Sequence, residues 1–416
     1  AIECADGALT YRDLIQTAHT LAEQITEQLA PTEFVGIAAQ RRPAAIVGML
    51  AAMRARRPFV VLDPRDGDRL NRRKVSQLRV NRLVRPGSRL LDADLVPAPE
   101  AWQAESSLGP NRALAGHEGH LAYAIHTSGS TGEPKCVLVG YDGLGAVIHD
   151  HMRRLNVTPE SRTLQFAKLT FDGCLTEIFW TLCAGACLVL VDEAALTPGS
   201  ALQDTLERLR ITHLKTTPFA LTATMPSDKM RLRHVVNGGG ACRRNCVEKW
   251  SAIAGFHNAY GCTETTICNL LTGPLRGDAC DQGVPLGDRV GQCGIRIVPD
   301  PAGDAAGPAG DRGELVVTGA SVGIGYLRDD NLTPFSDKTS EAAYHTGDLV
   351  ERRGNALFYV ERLDRQLKVR GYRIDPGEVE DRICRFVGID EAVVVAEGYE
   401  AGANADAADA LVCYFQ

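Results

Sequence analysis

Before Gly283, the apolar positions of the chain alternate between helical and strand-like spacing. Residues 14–29 and 44–55 repeat apolar side chains at the helical period, whereas residues 34–38 and 59–62 are short, continuous apolar runs. Alternating helices and strands are typical of a layered α/β architecture, which we predict for this part of the chain. Further buried strands are expected at residues 186–191 and 234–236.

The pattern changes after Gly283. Short β-rich runs at residues 313–317 and 356–360 are separated by Gly, Pro and Asp, which predicts a smaller β subdomain. Residues 299–313 are rich in Ala, Gly, Pro and Asp and are expected to form an exposed loop. The remaining pattern predicts a helix at residues 376–386 and strands at residues 392–395 and 411–415.

Size and composition narrow the class of protein. A chain of 416 residues is too long to fold around a single hydrophobic core, so we expect two or more domains. Contents of 44% apolar and 23% charged residues are typical of a soluble globular enzyme. With a net charge of −7 and no apolar run of transmembrane length, we expect neither a nucleic-acid nor a membrane partner. Thirteen scattered cysteines without paired CxxC motifs indicate free thiols in a reducing cytoplasm, and a structural zinc site is the less favoured alternative.

The strongest chemical signal is the segment 127–135, which follows the apolar run 121–125. Its nine residues include two glycines, four hydroxyl residues and a lysine. Glycines let backbone N–H groups converge on an anion, and the hydroxyls and the ammonium add donors, so the segment is predicted to bind nucleotide phosphates. It is not a Walker loop, because Lys135 follows Glu133-Pro134 rather than glycine.

This segment resembles the phosphate loop of adenylate-forming enzymes, the superfamily of acyl-CoA synthetases, luciferases and adenylation domains of nonribosomal peptide synthetases. The resemblance implies ATP as cofactor and an active-site role for the hydroxyl residues and lysine of the loop. The implied phosphate-binding residues are Ser128, Gly129, Ser130, Thr131, Gly132 and Lys135, and those with a catalytic role are Thr127, Ser128, Thr131 and Lys135.

Two further motifs carry the rest of the nucleotide site. In residues 258–266, a tyrosine beside glycine can present a flat face to adenine, and a carboxylate among hydroxyls can hold Mg²⁺. The family match makes Tyr260 the adenine platform and Glu264 the metal ligand, with Cys262 in place of the usual proline. In residues 344–349 the match makes Asp348 the ribose anchor, with Arg362 as a second ribose contact. Other implied ATP contacts are Asn258, Ala259, Gly261 and Thr263.

The polar segment 362–366 could be a plain turn, but in the superfamily this place is the hinge between two domains. The resemblance implies a core at residues 1–363 and the start of a mobile C-terminal subdomain at residues 364–416, with Asp364 as the hinge. The implied fold is α/β: two layered α/β subdomains plus a small β subdomain, followed by a partial small α+β domain. Lys368 and Gly371 match the loop that swings in for thioester formation, and the resemblance implies a catalytic role for Lys368 as well as for Glu264. The adenylating lysine is expected beyond residue 416.

The segment Phe171-Asp172-Gly173 bears on the acid that is activated. Asp172 could simply cap the apolar helical run that follows it. In amino-acid-activating members of the superfamily this aspartate holds the substrate α-ammonium, and members that act on fatty or aryl acids lack it. Aligning the motifs places the substrate pocket at Asp172, Gly173, Thr176, Lys215, Val236, Gly238, Ala259, Ile267 and Cys268.

Lys215 is the informative pocket position. It could be a surface lysine, but its apolar neighbours suggest a buried strand end, where an ammonium needs an anionic or carbonyl partner. With Thr176, Val236 and Gly238 it resembles the pattern of aspartate- and asparagine-activating domains, from which Gly173, Ala259 and Cys268 depart. From this pattern we expect an Asp- or Asn-like substrate. Because Gly173 and Ala259 are small, the pocket is expected to be roomier, so a β-substituted or Glu-like acid would also fit.

Together, the motifs match an amino-acid adenylation domain of a nonribosomal peptide synthetase, in family order from residue 9 to residue 380. The resemblance implies ATP and Mg²⁺ as cofactors and a peptidyl carrier protein with phosphopantetheine as partner, and a small MbtH-like protein is a further candidate partner. One rival interpretation is an acyl- or aryl-CoA ligase, which Asp172 disfavours. Another is a non-catalytic nucleotide-binding scaffold, which the complete set of Glu264, Asp348 and the phosphate loop disfavours.

Overall fold

A computed structural model describes residues 1–103, 111–127, 135–299, 311–335, 342–364, 367–369, 372–386, 389, 391–397 and 410–416. The helices in this part are α1 (Tyr11–Gln28), α2 (Pro43–Arg54), α3 (Asp68–Leu78), α4 (Tyr141–Arg154), α5 (Gly173–Cys183), α6 (Ser200–Arg208), α7 (Pro218–Ala223), α8 (Arg244–Ser251) and α9 (Pro376–Ile383).

The strands before residue 290 are β1 (Ile2–Cys4), β2 (Gly7–Leu9), β3 (Val35–Ala38), β4 (Phe59–Leu62), β5 (Arg82–Pro86), β6 (Ala93–Pro97), β7 (Leu121–Thr127), β8 (Lys135–Gly140), β9 (Arg162–Leu164), β10 (Cys187–Val189), β11 (His213–Thr216), β12 (His234–Asn237), β13 (Gly255–Tyr260), β14 (Leu270–Leu271) and β15 (Asp288–Arg289). Those after it are β16 (Cys293–Pro299), β17 (Arg312–Gly319), β18 (Gly325–Arg328), β19 (Asn331–Pro334), β20 (Ala343–Arg353), β21 (Ala356–Arg362), β22 (Leu367–Val369), β23 (Tyr372–Ile374), β24 (Ala392–Glu397) and β25 (Ala410–Phe415).

The chain forms two compact units. The first contains Ala1–His126, Cys136–Glu193 and Gly323–Ser340, and the second contains Thr127–Lys135, Ala194–Val322 and Glu341–Gln416. In the first unit, one sheet has the strand order β19-β18-β8-β7-β4-β3-β5-β6, with β7, β4, β3 and β5 parallel. A second group of strands pairs β9, β10 and β1 in parallel, with β2 antiparallel to β1. Helices and sheets therefore form the predicted layered α/β structure.

The elements of the first unit follow the sequence pattern closely. Helix α1 starts three residues before the predicted apolar repeat because Thr10 and Asp13 form a capping box at its N-terminus. Helix α2 is buried on most sides. Strand β4 is buried on both faces, which explains the continuous apolar run of residues 59–62. The arginine-rich helix α3 exposes Arg69, Arg72 and Arg73 to solvent.

The second unit combines a parallel and an antiparallel part. Strands β11, β12 and β13 are parallel neighbours, and β14 and β15 continue from β13 in antiparallel pairing. Strands β16, β17, β20 and β21 form an antiparallel sheet, which confirms the predicted β subdomain. Residues 300–310 of the predicted loop lie outside the described residues. The antiparallel pairs β22–β23 and β24–β25 belong to the segment 364–416, whose boundary as a separate subdomain stays a prediction.

Candidate active site

The predicted phosphate loop lies largely outside the described residues. Ser128, Gly129, Ser130, Thr131 and Gly132 are not described, whereas Thr127 ends β7 and Lys135 begins β8. The strand expected before the loop is therefore present. Among the described residues, the Thr127 Oγ1 atom is buried without a hydrogen-bond partner. A hydroxyl in that position is suited to a polar ligand, because an unpaired buried polar atom is costly.

Tyr260 and Asp348, which the sequence assigns to adenine and ribose, are in direct contact. Tyr260 ends β13, its side chain is buried, and its hydroxyl donates a hydrogen bond to Oδ2 of Asp348. Burial, and then the nearby Asp348 carboxylate, raise the pKa of Tyr260 well above its ordinary value. The hydroxyl therefore remains a protonated donor at neutral pH.

Asp348 is held on its other oxygen by Arg362. The two residues face each other in the β20–β21 register, and Arg362 Nη1 donates to Asp348 Oδ1 at 2.7 Å. The Asp348 side chain is 2% exposed, so the ion pair provides the partner that a buried carboxylate requires. Each carboxylate oxygen has two lone pairs, so Asp348 can still accept hydrogen bonds from ribose hydroxyls.

The irregularity of β20 before Asp348 depends on Gly347. Its φ is +72°, and a Cβ atom there would lie 2.8 Å from Arg362 Nη2. The Gly347 N–H donates to Glu314 Oε1 at 2.9 Å, and Thr346 Oγ1 accepts from the Asp348 N–H at 3.1 Å. The glycine of the motif therefore provides both the backbone conformation and the room for the arginine.

The predicted hinge residue, Asp364, completes this network. Arg362 donates from Nε to Asp364 Oδ1 and from Nη2 to Asp364 Oδ2, both at 2.7 Å. The sequence analysis assigned separate roles to these two residues and missed their contact. Their two-residue spacing at a strand end was the available signal. Lys368 lies on β22, and its side chain is outside the described part of the chain, as is Gly371.

The residues around Tyr260 brace the strand end. The Asn258 amide donates to Pro285 O and accepts from Asn237 Nδ2, both at 2.9 Å, so its side chain fixes neighbouring segments. At Gly261, a Cβ atom would lie 2.6 Å from Cys268 Cα and from Ile267 O. A glycine is therefore required where the two chain segments meet.

The segment next to Gly261 contains backbone strain. Thr266 and Ile267 have φ values of 61° and 70°, and the Cys268 N–H donates to Thr266 O at 2.8 Å. This bond closes a three-residue γ-turn of the rare, strained form around a β-branched residue. Thr266 Oγ1 anchors the turn by donating to Ser321 O at 2.6 Å. Strain of this kind concentrates at ligand sites, and Ile267 and Cys268 are predicted pocket residues.

Glu264 lies in a short 3-10 turn, Thr263–Thr265, and is fully buried. A single buried carboxylate fits Mg²⁺, which usually takes one or two carboxylates and completes its coordination with phosphate and water oxygens. Among the described residues, no group of three or more His, Cys, Asp or Glu side chains could hold a metal ion. All thirteen cysteines are free.

Four predicted pocket residues of the second unit, Lys215, Val236, Gly238 and Ala259, lie at the carboxyl ends of adjacent parallel strands. Lys215 on β11 is half-buried and lies in register with Val236 on β12. A Cβ atom on Gly238 would lie 3.5 Å from Lys215 Cε and 3.9 Å from the Ala259 Cβ. Because Gly238 has no side chain and Ala259 has a small one, there is space beside the Lys215 side chain. Ligands in α/β proteins bind at such strand ends.

The other three predicted pocket residues lie in the first unit, where α5 begins. Asp172 occupies the position just before the helix but makes no capping hydrogen bond with its side chain, so the capping alternative is wrong. Thr176 is buried and donates to Gly173 O at 2.7 Å. Burial, and then the charge of Asp172, raise the pKa of the buried Tyr123 well above its ordinary value. Asp172 is therefore near enough to Tyr123 for its charge to act on that phenol.

Comparison with known proteins places these features in a family. The model of the family "AMP-binding enzyme" matches residues 1–327. Bacitracin synthase 3 of Bacillus licheniformis is 33% identical over 95% of the chain and 6% of its own length, and phosphinothricin tripeptide synthetase PhsC of Streptomyces viridochromogenes is 32% identical over 96% and 38%. The chain thus spans only a small part of these relatives. The matches confirm the resemblance that the motifs indicated.

Solved structures agree on the fold. The adenylation domain AlmE of Vibrio cholerae, in complex with glycyl-adenosine-5'-phosphate, superposes with a TM-score of 0.83 at 21% identity, covering 100% of this chain and 85% of that one. PA1221, a protein containing adenylation and PCP domains, gives a TM-score of 0.79 at 21% identity, covering 100% of this chain and 85% of that one.

None of the helices in the described part of the chain has the length and apolar character that a membrane span requires.

Proposed function

The chain belongs to the AMP-binding enzyme family, and from that premise we propose that it activates an α-amino acid with ATP and transfers it to a carrier-protein thiol. The amino-acid carboxylate attacks the ATP α-phosphorus, pyrophosphate leaves, and an aminoacyl adenylate forms. The phosphopantetheine thiol then attacks the acyl carbon, and AMP leaves. The observation that carries the proposal is the hydrogen-bonded contact of Asp348 with Tyr260 and with Arg362.

In this proposal each motif binds one part of ATP. Tyr260 presents its ring to adenine, Asp348 accepts the ribose hydroxyls, and residues 127–135 donate to the phosphates. Glu264 would hold Mg²⁺, which when bound supplies charge neutralisation for the phosphate oxygens. Holding the two reactants in this way removes much of the entropic cost of bringing them together.

We propose that Lys215 binds the side chain of the substrate. The ammonium on a half-buried strand end, beside Gly238 and Ala259, suits a carboxylate or carboxamide such as that of aspartate or asparagine. The small residues leave room for a β-substituent or a Glu-like chain. Asp172 would bind the α-ammonium. The carrier protein is supported by the PCP domain of PA1221, and an MbtH-like partner and a cytoplasmic location remain part of the proposal.

Amino-acid-dependent ATP–pyrophosphate exchange tests the reaction. The full-length domain would be measured with all proteinogenic amino acids and with β-substituted aspartates and asparagines, and exchange should peak with an acidic or amide side chain. Activity only with aryl or fatty acids and CoA would identify the CoA-ligase alternative. Nucleotide binding without exchange for any acid would identify the non-catalytic scaffold.

Replacing Lys215 by alanine tests the side-chain assignment. We expect Lys215→Ala to reduce kcat/KM for the preferred acidic or amide substrate by on the order of 10- to 100-fold, since a charge-assisted hydrogen bond is lost. Lys229→Ala removes the same charge from an exposed position and serves as the control. A substrate profile that Lys215→Ala leaves unchanged would contradict the assignment.

A further inference from the structure

A buried carboxylate lies on the inner side of helix α5. Glu177 is fully buried, and its oxygens accept hydrogen bonds from the main-chain N–H groups of Phe166 and Ala167, each at 3.1 Å. Gln165 Nε2 adds a third donor at 3.0 Å. These hydrogen bonds connect the Glu177 carboxylate on α5 to residues 165–167, which directly follow β9.

An arginine holds the same segment from its carbonyl side. Arg41 Nη1 donates to Gln165 O at 2.9 Å, and Nη2 donates to Phe166 O at 2.8 Å. Arg41 Nη1 also contacts Gln165 Oε1. Burial lowers the pKa of Arg41, and the negative charge of Glu177 partly offsets that effect. A buried carboxylate and a half-buried guanidinium thus bind the N–H groups of Phe166 and Ala167 and the C=O groups of Gln165 and Phe166.

The fixed segment leads directly to Asp172. The Phe171 N–H donates to Lys168 O at 2.9 Å, and Leu175 N–H donates to Asp172 O at 2.9 Å as α5 begins. Glu177 follows Asp172 by five residues on this helix. The segment between β9 and α5 is therefore held by hydrogen bonds near both of its ends, and Asp172 belongs to this segment.

Stability alone is a weak explanation for this arrangement. A buried ion network contributes little net stability compared with well-packed apolar side chains, because desolvating the charges is costly. What such a network supplies is a fixed geometry for the main chain that it binds. Residues 165–172 need that geometry if the Asp172 carboxylate is to meet a substrate ammonium at hydrogen-bond distance.

We propose that Glu177 and Arg41 are positioning residues for the α-ammonium site: they fix residues 165–172 so that Asp172 selects acids that carry an α-amino group. This inference rests on the proposed function. It concerns neither ATP binding nor the substrate side chain. Disturbing the network should therefore affect recognition of the ammonium and leave the nucleotide site unchanged.

The test compares the enzyme's preferred amino acid, aspartate in our proposal, with succinate, which lacks only the α-amino group. In Glu177→Gln, an amide NH₂ group replaces one of the two carboxylate oxygens. This group can only donate, so it cannot accept a hydrogen bond from the main-chain N–H group that faces it. We expect KM for aspartate to rise on the order of 10-fold, while KM for ATP and the inhibition constant of succinate change less than about 2-fold. The preference for the amino acid over succinate therefore shrinks.

Thr163→Val is the matched control. Thr163 on β9 accepts a hydrogen bond from Trp180 Nε1 of α5 at 3.2 Å, so this substitution also removes a buried polar contact between the same two elements. It leaves residues 165–167 untouched. We expect it to lower the unfolding temperature without changing the preference for aspartate over succinate.

Gln165→Met is the second test variant. It removes the amide that bridges Arg41 and Glu177 but keeps both charges, and it decides the question if Glu177→Gln does not fold. A reduced preference in Gln165→Met or Glu177→Gln, with Thr163→Val unchanged, supports the inference. An unchanged preference, or equal loss in the control, overturns it. Absence of amino-acid-dependent exchange in the wild type would instead overturn the proposed function.

Discussion

At the residue scale, the motifs predicted which residues form a nucleotide site but not the contacts between those residues. Tyr260 and Asp348 are 88 residues apart, and the sequence assigned them to different parts of ATP. Their hydrogen bond arises because the end of β13 lies beside the middle of β20, which no local pattern encodes. The γ-turn at Ile267 was unpredictable for a similar reason, since a β-branched residue normally avoids positive φ.

Tyr260→Phe tests the contact between the adenine and ribose residues. The ring remains, but Asp348 loses a donor, and a hydrogen bond to a charged group contributes about 1.5–3 kcal/mol. We expect KM for ATP to rise about 10-fold or more, with KM for the amino acid unchanged. Tyr359→Phe is the control, because the buried Tyr359 hydroxyl has no hydrogen-bond partner among the described residues. Equal effects of the two variants would contradict the proposed role.

At the element scale, periodicity gave the correct type for the helices and strands that were predicted from it, and the capping box of α1 decided where that helix begins. Parallel pairing also creates contacts that the pattern does not reveal. His213 and His234 start β11 and β12 in register, and their rings stack at 5.3 Å. His257 on β13 continues the group, with His234 Nδ1 at 3.0 Å from His257 Nε2.

The histidine group predicts how stability depends on pH. Burial, and then the neighbouring His213 and His257, lower the pKa of His234 to about 4, below its ordinary value of about 6.5. The unfolded chain therefore binds more protons between these values, so the free energy of unfolding should be constant above pH 6.5 and fall as pH drops from 6.5 to 4.

Urea unfolding at intervals from pH 7.5 to 4.5 measures this dependence. His234→Gln keeps a donor for His257 but removes the titrating group, so its stability should fall less steeply than that of the wild type. His149→Gln on the exposed face of α4 is the control. Parallel curves for wild type and His234→Gln would show that another group carries the pH dependence.

At the scale of the whole molecule, the layered α/β core, the β subdomain and the family were predictable because each rests on repeated, local patterns. The partition into two units was not, because the chain returns to the first unit at residue 323 after a long excursion. The same limit applies to the substrate pocket. Its positions came from motif alignment, and they are divided between the units: Asp172, Gly173 and Thr176 lie in the first unit, and the other six lie in the second.

The predicted hinge offers the last test, since Asp364 binds Arg362, and Arg362 binds Asp348, the proposed ribose anchor. If Asp364 rotates between adenylation and thioester formation, this pair must break during the rotation. Asp364→Ala should then raise KM for ATP about 2- to 5-fold, the range for a partly exposed pair. Loading of the carrier thiol from preformed adenylate should be equal or faster. Glu351→Ala removes a similar pair with Arg353 on β20 and should alter neither step. Slower loading in Asp364→Ala would mean that the carboxylate assists the second step, and the pair would then not oppose the rotation.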